Sequence, residues 1–258
     1  MKLQGRVAAI TGGTRGIGRG IAEAFLAEGA SVVINGRSPE KGARTLAELN
    51  AGDRATFVAA DVQRQAGAER VVAATIERYG RIDILVNNAG GSGGFAPIAE
   101  MSDEAWNQAL NWNLNSTFWA TRMALRDMIP RRWGRIINIS SVEGRRVNKP
   151  NVGHYVTNKH GINGLTKAVA FENGQYGITC NAILPGAVET DIMIEGGAQA
   201  AKAMGVSYEE FLNGYAQDAA IKRINTVEEM AAVALLLASE IGGGISGALL
   251  DVSGGTGL

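Results

Sequence analysis

The length, composition and charge of the chain limit what it can be. Its 258 residues suffice for one large α/β domain or two small ones. Apolar residues make up 46% and charged residues 19% of the sequence, so the chain can bury a sizeable core and is not disordered. Basic and acidic residues balance at 25 each without a long basic run, which argues against nucleic acid or a membrane as the main partner.

The cysteine content and the apolar runs bear on the location of the protein. The single cysteine, Cys180, has no partner for a disulfide within the chain. No segment reaches the roughly 18 apolar residues that a membrane-spanning helix needs, and the first residues do not resemble a signal peptide. We therefore expect a cytoplasmic protein in a reducing compartment.

Short apolar runs alternate with longer helical patterns along the chain. The predicted strands are residues 7–10, 31–35, 56–60, 82–86, 135–139, 178–182 and 248–252, and the predicted helices are residues 16–28, 39–49, 66–79, 102–129, 155–175 and 227–238. Strands that are apolar on both faces and are joined by helices indicate a parallel sheet covered on both sides. The right-handed crossover rule makes this an α/β fold with a doubly wound parallel sheet. No linker divides the sequence, so we expect a single domain over residues 1–258.

Residues 192–223 interrupt this alternation. The segment is polar and glycine-rich, carries Met193, Met204 and several aromatic residues, and follows the carboxyl end of a predicted strand. Long insertions at that edge are typically functional, so we expect a helical lid over a substrate. A helical hairpin that packs against another subunit is the alternative.

A glycine-rich turn follows the first predicted strand. It reads Thr11-Gly12-Gly13-Thr14-Arg15-Gly16-Ile17-Gly18. Glycines permit a tight turn and a close approach of the backbone to a pyrophosphate. The helix that begins here offers free N–H groups and the positive end of its dipole to that anion. The turn therefore predicts a dinucleotide site, with a plain glycine-rich turn as the simpler alternative.

The end of the second predicted strand indicates which dinucleotide binds. An NAD enzyme places Asp or Glu there for the ribose 2′-hydroxyl. This chain instead reads Asn35-Gly36-Arg37-Ser38, without a carboxylate. The guanidinium groups of Arg15 and Arg37 suit a 2′-phosphate, so we favour NADP(H) over NAD(H). An exposed charge at the strand end is the alternative for Arg37.

Tyr155 and Lys159 lie four residues apart at the start of a predicted helix and share one face. A free tyrosine, with a pKa of about 10, is a poor base, and a neighbouring ammonium group should lower that pKa. Tyr155 could then donate a proton to a carbonyl oxygen or take one from an alcohol. An ordinary surface pair is the alternative. Ser140 and Ser141, however, follow a predicted strand at the edge where such sheets bind ligands.

In this order, the motifs resemble those of the short-chain dehydrogenase/reductase family. The matching features are the spacing G-x-x-x-G-x-G, the run Asn87-Asn88-Ala89-Gly90, a serine before the Tyr-x-x-x-Lys pair, and the run Pro185-Gly186-Ala187-Val188-Glu189-Thr190. The similarity extends from Gly5 to Gly255. It implies a Rossmann fold, and it is greatest to ketoreductases like 3-oxoacyl-(acyl-carrier-protein) reductase.

The resemblance also implies which residues contact the cofactor. These residues are Gly12, Thr14, Arg15, Gly16, Ile17, Gly18, Arg37, Asp61, Val62, Asn88, Ala89, Gly90, Tyr155, Lys159, Pro185, Gly186, Val188 and Thr190. Asp61 and Val62 would flank the adenine, and Val188 and Thr190 would meet the carboxamide. For Asn88, a role in tying the sheet together is an equally simple explanation.

The resemblance implies four catalytic residues, which are Asn113, Ser141, Tyr155 and Lys159. Tyr155 would exchange the proton, Ser141 would hydrogen-bond the reacting oxygen, and Lys159 would hold the nicotinamide ribose. Asn113 would hold a water in a proton relay with the lysine. The other candidates are Ser140 for the serine, and Asn107, Asn111 and Asn115 for the asparagine.

No metal site is implied. His154 and His160 flank the catalytic pair but are too few for a usual ligand set. We interpret both as helix-face residues, with the alternative that His154 lines the pocket.

The resemblance implies an NADP(H)-dependent oxidoreductase that interconverts a ketone and a secondary alcohol. The lid and the run Gly91-Ser92-Gly93-Gly94 favour a 3-oxoacyl or polyketide-like substrate. A catabolic dehydrogenase of a small hydroxy acid, a cyclic alcohol or a steroid is the alternative. A non-catalytic cofactor sensor is disfavoured, because such proteins typically lose the tyrosine or the lysine. The family also implies a homotetramer.

Overall fold

The computed structural model describes residues 1–91, 93–147 and 149–256. The strands found in these residues are β1 (Val7–Ile10), β2 (Ser31–Gly36), β3 (Ala55–Ala59), β4 (Ile84–Asn87), β5 (Gly134–Ile139), β6 (Ile178–Pro185) and β7 (Leu249–Val252). They form one parallel sheet in the order β3-β2-β1-β4-β5-β6-β7. The predicted doubly wound α/β sheet is therefore confirmed.

Helices cover both faces of this sheet. They are α1 (Gly16–Ala27), α2 (Pro39–Leu49), α3 (Gln65–Tyr79), α4 (Asp103–Leu110), α5 (Ser116–Arg131), α6 (Gly153–Asn173), α7 (Asp191–Met204), α8 (Tyr208–Asp218) and α9 (Val227–Ala238). The two faces carry separate apolar cores. Ile21 and Phe25 of α1 pack with Met230 of α9 in one core, and Val72 of α3 packs with Ala124 of α5 in the other. Burial on both faces explains why β1 is apolar throughout and why β4 is apolar up to its last residue, Asn87.

The chain reverses direction across the sheet between β1 and β4. Strand β1 pairs with β2 on one side and with β4 on the other, in a register that sets Ile10 beside Val86. The following turns diverge from this point, and a crevice opens at the carboxyl ends of the two strands. Open α/β sheets bind their ligands at such a point.

Among the elements whose bounds differ from the prediction, two bear on the site. Strand β4 covers Ile84–Asn87 instead of the predicted 82–86. It extends to Asn87 because this residue pairs with Asn138 of β5, and the amide nitrogen of Asn87 donates a hydrogen bond of 2.8 Å to Asn138 Oδ1. The predicted helix 102–129 divides into α4 and α5 at a π-helical turn, Asn111–Asn115. Its wider turn carries the buried Asn113, and π turns in helices frequently occur at functional sites.

The segment predicted as a lid forms two helices, α7 and α8. Gly205, in the left-handed region at φ +71°, ends α7, and Ser207 begins α8 with a capping box to Glu210. The aromatic side chains of Tyr208, Phe211 and Tyr215 follow one another on α8, with neighbouring ring centroids 6.4 and 5.3 Å apart. These helices stand over the crevice, as a lid would.

Candidate active site

The glycine-rich turn after β1 has a backbone that side chains would obstruct. Gly12 and Gly16 have φ values of +65° and +53°, a region that favours glycine. A Cβ on Gly13 would lie 2.8 Å from the side chain of Ile34, and one on Gly18 would lie 2.4 Å from Asn88 Nδ2. The turn is therefore packed tightly against β2 and the end of β4. Its open side begins α1, whose first turn receives no side-chain cap from Arg15.

One cavity of about 940 Å³ extends from this turn to Tyr155 and onto the lid. The predicted cofactor residues that line it are Gly12, Thr14, Arg15, Gly16, Ile17, Arg37, Asp61, Val62, Asn88, Ala89, Gly90, Tyr155, Lys159, Pro185, Gly186, Val188 and Thr190. Gly18 is not among the lining residues, because it faces Asn88 behind the turn. The size of the cavity and its glycine-lined end fit a dinucleotide.

Asn88 ties two strand ends together. Its amide nitrogen donates hydrogen bonds to the carbonyl oxygens of Thr11 and Gly12 at 2.9 and 3.0 Å. The hydroxyl of Thr11 in turn accepts from the backbone N–H groups of Asn88 and Ala89, each at 3.0 Å. Asn88 therefore ties the sheet together, which was the alternative explanation for this residue in the sequence. These hydrogen bonds also fix the position of the glycine-rich turn.

The end of the cavity beyond β2 is basic. Arg15 and Arg37 both line it, as the sequence predicted, and no carboxylate follows β2 at this position. The structure adds Ser38 and Lys41, which sequence reasoning missed. Ser38 caps α2, since its hydroxyl accepts a hydrogen bond from Lys41 N at 3.2 Å. The start of α2 therefore points its positive end, together with three cations, at this part of the cavity.

Two carboxylates of α7 contact the glycine-rich turn. Asp191 Oδ2 accepts a hydrogen bond from Gly16 N at 3.3 Å, and Glu195 Oε2 lies 3.3 Å from Arg15 Nη1. Thr190 caps α7 and also lies against Gly16, because a Cβ on that glycine would lie 3.3 Å from the Thr190 side chain. The amino end of the lid and the glycine-rich turn are thus in direct contact. No short-range pattern predicts this contact, since Gly16 and Asp191 are 175 positions apart.

Tyr155 and Lys159 face the cavity from the first turns of α6, as predicted. Lys159 Nζ lies 5.3 Å from the centroid of the Tyr155 ring and donates a hydrogen bond of 2.9 Å to the carbonyl oxygen of Ile139, at the end of β5. Burial lowers the pKa of Lys159 to about 8. The lysine is therefore held under the tyrosine with little room to move.

The predicted lowering of the Tyr155 pKa is wrong for this structure. Burial raises the pKa of the phenol, the hydroxyl of Ser141 opposes that effect, and the negative charge of Glu143 adds to it. Lys159 is not among the groups that shift this pKa, and its ammonium donates its hydrogen bond to the carbonyl oxygen of Ile139. In this state Tyr155 is therefore a proton donor at neutral pH rather than a phenolate.

The geometry distinguishes the two serines. Ser140 donates a hydrogen bond of 3.3 Å to the backbone oxygen of Lys159, which ties β5 to α6. Ser141 accepts a hydrogen bond of 3.2 Å from Glu143 N, and its hydroxyl interacts with Tyr155. The arrangement favours Ser141, as the motif did.

The geometry also distinguishes the asparagines. Asn113 is fully buried, and a Cβ on Gly90 would lie 2.7 Å from its Oδ1 and 3.6 Å from Lys159 Nζ, so both side chains adjoin Gly90. Asn115 instead donates to Asn111 Oδ1 at 2.7 Å, and Asn107 is exposed. Asn113 does not line the cavity itself but supports the loop that does.

His154 is not a surface residue of the helix face. It is fully buried, and its Nε2 donates a hydrogen bond of 2.7 Å to the carbonyl oxygen of Gly93. The ring of Phe95 packs edge-on at 6.2 Å. His154 therefore anchors the loop after β4 rather than lining the pocket, and His160 lies on the exposed face of the same helix. Ser92, part of the same predicted run, lies outside the described residues.

Several lining residues were not identified from the sequence. They are Phe95 and Trp112 on one wall, Glu143 beside Ser141, and Lys149, whose Nζ lies 4.1 Å from the ring centroid of Tyr215 on α8. Met193, Phe211 and Tyr215 of the lid also line the cavity, as the lid hypothesis expects. Met204 does not, and it is exposed.

The described residues contain neither a cluster of metal ligands nor a helix that could span a membrane. Within residues 1–91, 93–147 and 149–256, no three His, Cys, Asp or Glu side chains are grouped as metal ligands would be. In the same ranges, no helix has the length and apolar character needed to cross a bilayer. The cytoplasmic location stays a prediction.

Comparison with known proteins identifies the family. Residues 6–201 match the model of the short chain dehydrogenase family, whose members bind NAD(P)(H). The 3-beta-hydroxysteroid dehydrogenase of Mediterraneibacter gnavus is 37% identical over 262 residues, which cover 97% of this chain and 94% of that protein. The 3-oxoacyl-(acyl-carrier-protein) reductase of Aquifex aeolicus is 38% identical over 258 residues, which cover 99% and 98%.

A solved structure agrees with these relatives. A variant of actinorhodin polyketide ketoreductase with NADPH has a TM-score of 0.91 and 37% identity, and the match covers 98% of this chain and 97% of that one. The sequence motifs, the parallel sheet and the arrangement of residues at its carboxyl edge agree with this family. This chain belongs to the short chain dehydrogenase family and is an oxidoreductase that acts on a hydroxyl or ketone group.

Proposed function

We propose that the protein is an NADP(H)-dependent ketoreductase for 3-oxoacyl or polyketide-like substrates. One observation carries the proposal. Ser141, Tyr155 and Lys159 meet at one end of a continuous cavity, and the other end lies on the glycine-rich turn and its basic neighbours. A dinucleotide in this cavity would bring its nicotinamide end to Tyr155.

The proposed mechanism assigns a task to each catalytic residue. The nicotinamide, when bound, supplies or accepts the hydride. Tyr155 donates a proton to the carbonyl oxygen during reduction, for which its raised pKa keeps it protonated at neutral pH. Ser141 donates a hydrogen bond to the same oxygen as negative charge develops there. Lys159 lies under the tyrosine and adjoins Gly90, where it can hold the ribose.

The preference for NADP(H) rests on the basic end of the cavity. A 2′-phosphate needs cations that can make paired hydrogen bonds, and Arg15, Arg37 and Lys41 line this end. A 2′-hydroxyl would instead need an acceptor such as the carboxylate that is missing after β2. The related ketoreductase structure contains NADPH, which supports the same preference.

The substrate class rests on the relatives and on the lid. The acyl-carrier-protein reductase and the polyketide ketoreductase match nearly the full chain. Met193, Phe211 and Tyr215 give the lid side of the cavity an apolar lining that suits an acyl chain. A catabolic dehydrogenase of a hydroxy acid, a cyclic alcohol or a steroid is the second candidate, favoured by the similarity to a 3-beta-hydroxysteroid dehydrogenase.

The experiment that tests this function combines binding with turnover. The protein is titrated with NADPH and with NADH, followed by nicotinamide fluorescence, and is then assayed with an acetoacetyl thioester. We expect tighter binding of NADPH and measurable reduction of the thioester. The variant Arg37→Ala should weaken NADPH by about 10-fold or more and NADH little, since a charged hydrogen bond contributes about 1.5–3 kcal/mol. The exposed Arg44 of α2 provides the control, Arg44→Ala.

Either of two results would contradict the proposed function. A preference for NADH would overturn the assignment of the 2′-phosphate site. Binding without reduction of the thioester, together with oxidation of a steroid or cyclic alcohol, would favour the second candidate.

The proposed assembly is a homotetramer. The exposed faces of α5 and α6 carry large apolar side chains, with Phe118 41% and Phe171 93% exposed. Aromatic residues such as phenylalanine are enriched in protein–protein interfaces relative to the rest of the surface. Sedimentation analysis should give four times the chain mass of 27.0 kDa, and a monomer would contradict this.

A further inference from the structure

Glu143 is the carboxylate nearest in sequence to the serine–tyrosine pair, and the mechanism above gives it no task. It lies in the short turn after β5, where its backbone N–H donates a hydrogen bond of 3.2 Å to Ser141 Oγ. The residue is only 7% exposed, yet it lines the same cavity as Ser141 and Tyr155. A buried acidic side chain at this place calls for an explanation, because such groups are normally paired.

The carboxylate of Glu143 lacks a protein partner. Its Oε2 is buried and has no hydrogen-bond donor, and no ion pair in the described ranges includes this residue. The lysines of the cavity are engaged elsewhere. Lys159 donates to the backbone oxygen of Ile139, and Lys149 lies over the ring of Tyr215. On the same turn, Arg145 pairs with Asp251 at 2.7 Å.

The negative charge of Glu143 acts on the hydroxyl group of Tyr155. It acts together with burial to raise the pKa of Tyr155, which places the carboxylate within electrostatic reach of the phenol. A second negative charge brought to this point by a substrate would be repelled, and the low polarity of the buried site would strengthen the repulsion. A neutral substrate would meet no such repulsion.

We propose that Glu143 determines the substrate specificity of this site, because its charge excludes substrates with a carboxylate one carbon away from the reacting carbonyl and admits the neutral ones. This rests on the proposed function and narrows it. Esters, thioesters and amides of 3-oxo acids are substrates, and the free 3-oxo and 3-hydroxy acids are not. The hydroxy-acid branch of the second candidate is thereby excluded.

The test compares three compounds that differ only in the acid, ester or amide group one carbon away from the ketone. The holoenzyme is assayed for kcat/KM with acetoacetate, methyl acetoacetate and acetoacetamide. We expect the wild-type protein to favour both neutral compounds over the acid by about a hundredfold, as two like charges in a partly buried site imply. Glu143→Gln keeps the size of the side chain and removes its charge, so the ester-to-acid ratio should fall by about tenfold or more.

The control variant is Glu228→Gln, which removes a charge from the exposed first turn of α9, away from the cavity. Its ester-to-acid ratio should equal that of the wild-type protein. A merely structural role for Glu143 would lower kcat/KM for all three compounds alike and leave the ratio unchanged, which would overturn the inference. Turnover of none of the three compounds would overturn the proposed function, and this inference with it.

A measurement on the wild-type protein covers the case in which Glu143→Gln does not fold. Acetoacetate is added as an inhibitor of the reduction of methyl acetoacetate. We expect its inhibition constant to exceed the KM of the ester by about a hundredfold. Inhibition at concentrations near that KM would show that the site admits the carboxylate and would contradict the inference.

Discussion

Asn113 holds both backbone groups of Gly91. Its Oδ1 accepts a hydrogen bond from Gly91 N at 3.2 Å, and its Nδ2 donates to Gly91 O at 2.8 Å. Because Asn113 sits in the π-helical turn between α4 and α5, this pair fixes the loop after β4 to the helix layer. The same loop carries Gly90, which lies against Lys159. A side chain that does not line the cavity thus positions a wall of it.

Asn113→Ala should therefore impair both stability and turnover. Loss of the amide leaves the two part-buried backbone groups of Gly91 without this partner, which lowers the free energy of unfolding by about 1–3 kcal/mol. We expect kcat to fall by about 10- to 100-fold while NADPH binding changes less, because the loop shifts by a fraction of an ångström at the reacting end. Chemical denaturation and steady-state kinetics measure the two effects.

The matched control is Asn115→Ala, two residues along the same turn. Its amide donates only to Asn111 Oδ1. A loss of activity in this variant equal to that of Asn113→Ala would show that the turn as a whole, rather than the Asn113–Gly91 pair, matters.

Lys159 should destabilise the fold at neutral pH. Burial lowers its pKa from 10.5 to about 8, so between these values the unfolded chain binds more protons than the folded one. Stability from this group therefore rises with pH through that window, and the destabilisation is greatest below pH 8. Lys159→Met should increase the free energy of unfolding at pH 7 by up to about 3 kcal/mol, less the lost hydrogen bond to Ile139.

The gain in the free energy of unfolding of Lys159→Met should become smaller as the pH approaches 10. Denaturant unfolding at several pH values measures it, with the exposed Lys167→Met on the same helix as the reference. A variant that is less stable than the wild-type protein at pH 7 would show that the ammonium is stabilised in the folded state.

The contact between the lid and the glycine-rich turn should compete with the cofactor. Glu195 lies 3.3 Å from Arg15, one of the residues proposed for the 2′-phosphate. Glu195→Gln should free that arginine and tighten NADPH by about 2- to 5-fold, the range of an exposed ion pair. NADH, which lacks the phosphate, should gain less. Fluorescence titration of both nucleotides provides the comparison.

A control on the lid separates this effect from general charge removal. Glu209→Gln lies on α8, is exposed and does not line the cavity. If it tightened NADPH as much as Glu195→Gln, the gain would come from the net charge of the lid instead of the Arg15 contact.

The sequence predicts local features well, because they depend on short-range patterns. Apolar runs such as 7–10 and the helix at 227–238 are found with the predicted bounds. The glycine turn and the Tyr155–Lys159 pair also line the cavity as expected. In each case the physical cause is a periodicity or a conformational requirement that adjacent residues carry.

Features that depend on tertiary contacts escaped prediction. The π-helical turn forms where Asn113 meets Gly91, a contact across 22 residues, and the contacts of α7 with the turn after β1 span far more. The environment of Tyr155 also depends on burial, which reversed the expected direction of its pKa shift. In the sequence, Glu143 is indistinguishable from an ordinary turn residue. Its burial beside Ser141 is visible only in the structure.

The most direct test of the central claim is the rate of ketone reduction by Tyr155→Phe. Removal of the proposed proton donor should reduce kcat by about a hundredfold or more. NADPH affinity and the unfolding transition should stay close to those of the wild-type protein, and Tyr176→Phe, outside the cavity, should keep its activity. Full activity of Tyr155→Phe with an acetoacetyl thioester would contradict the account, because another group would then have to deliver the proton.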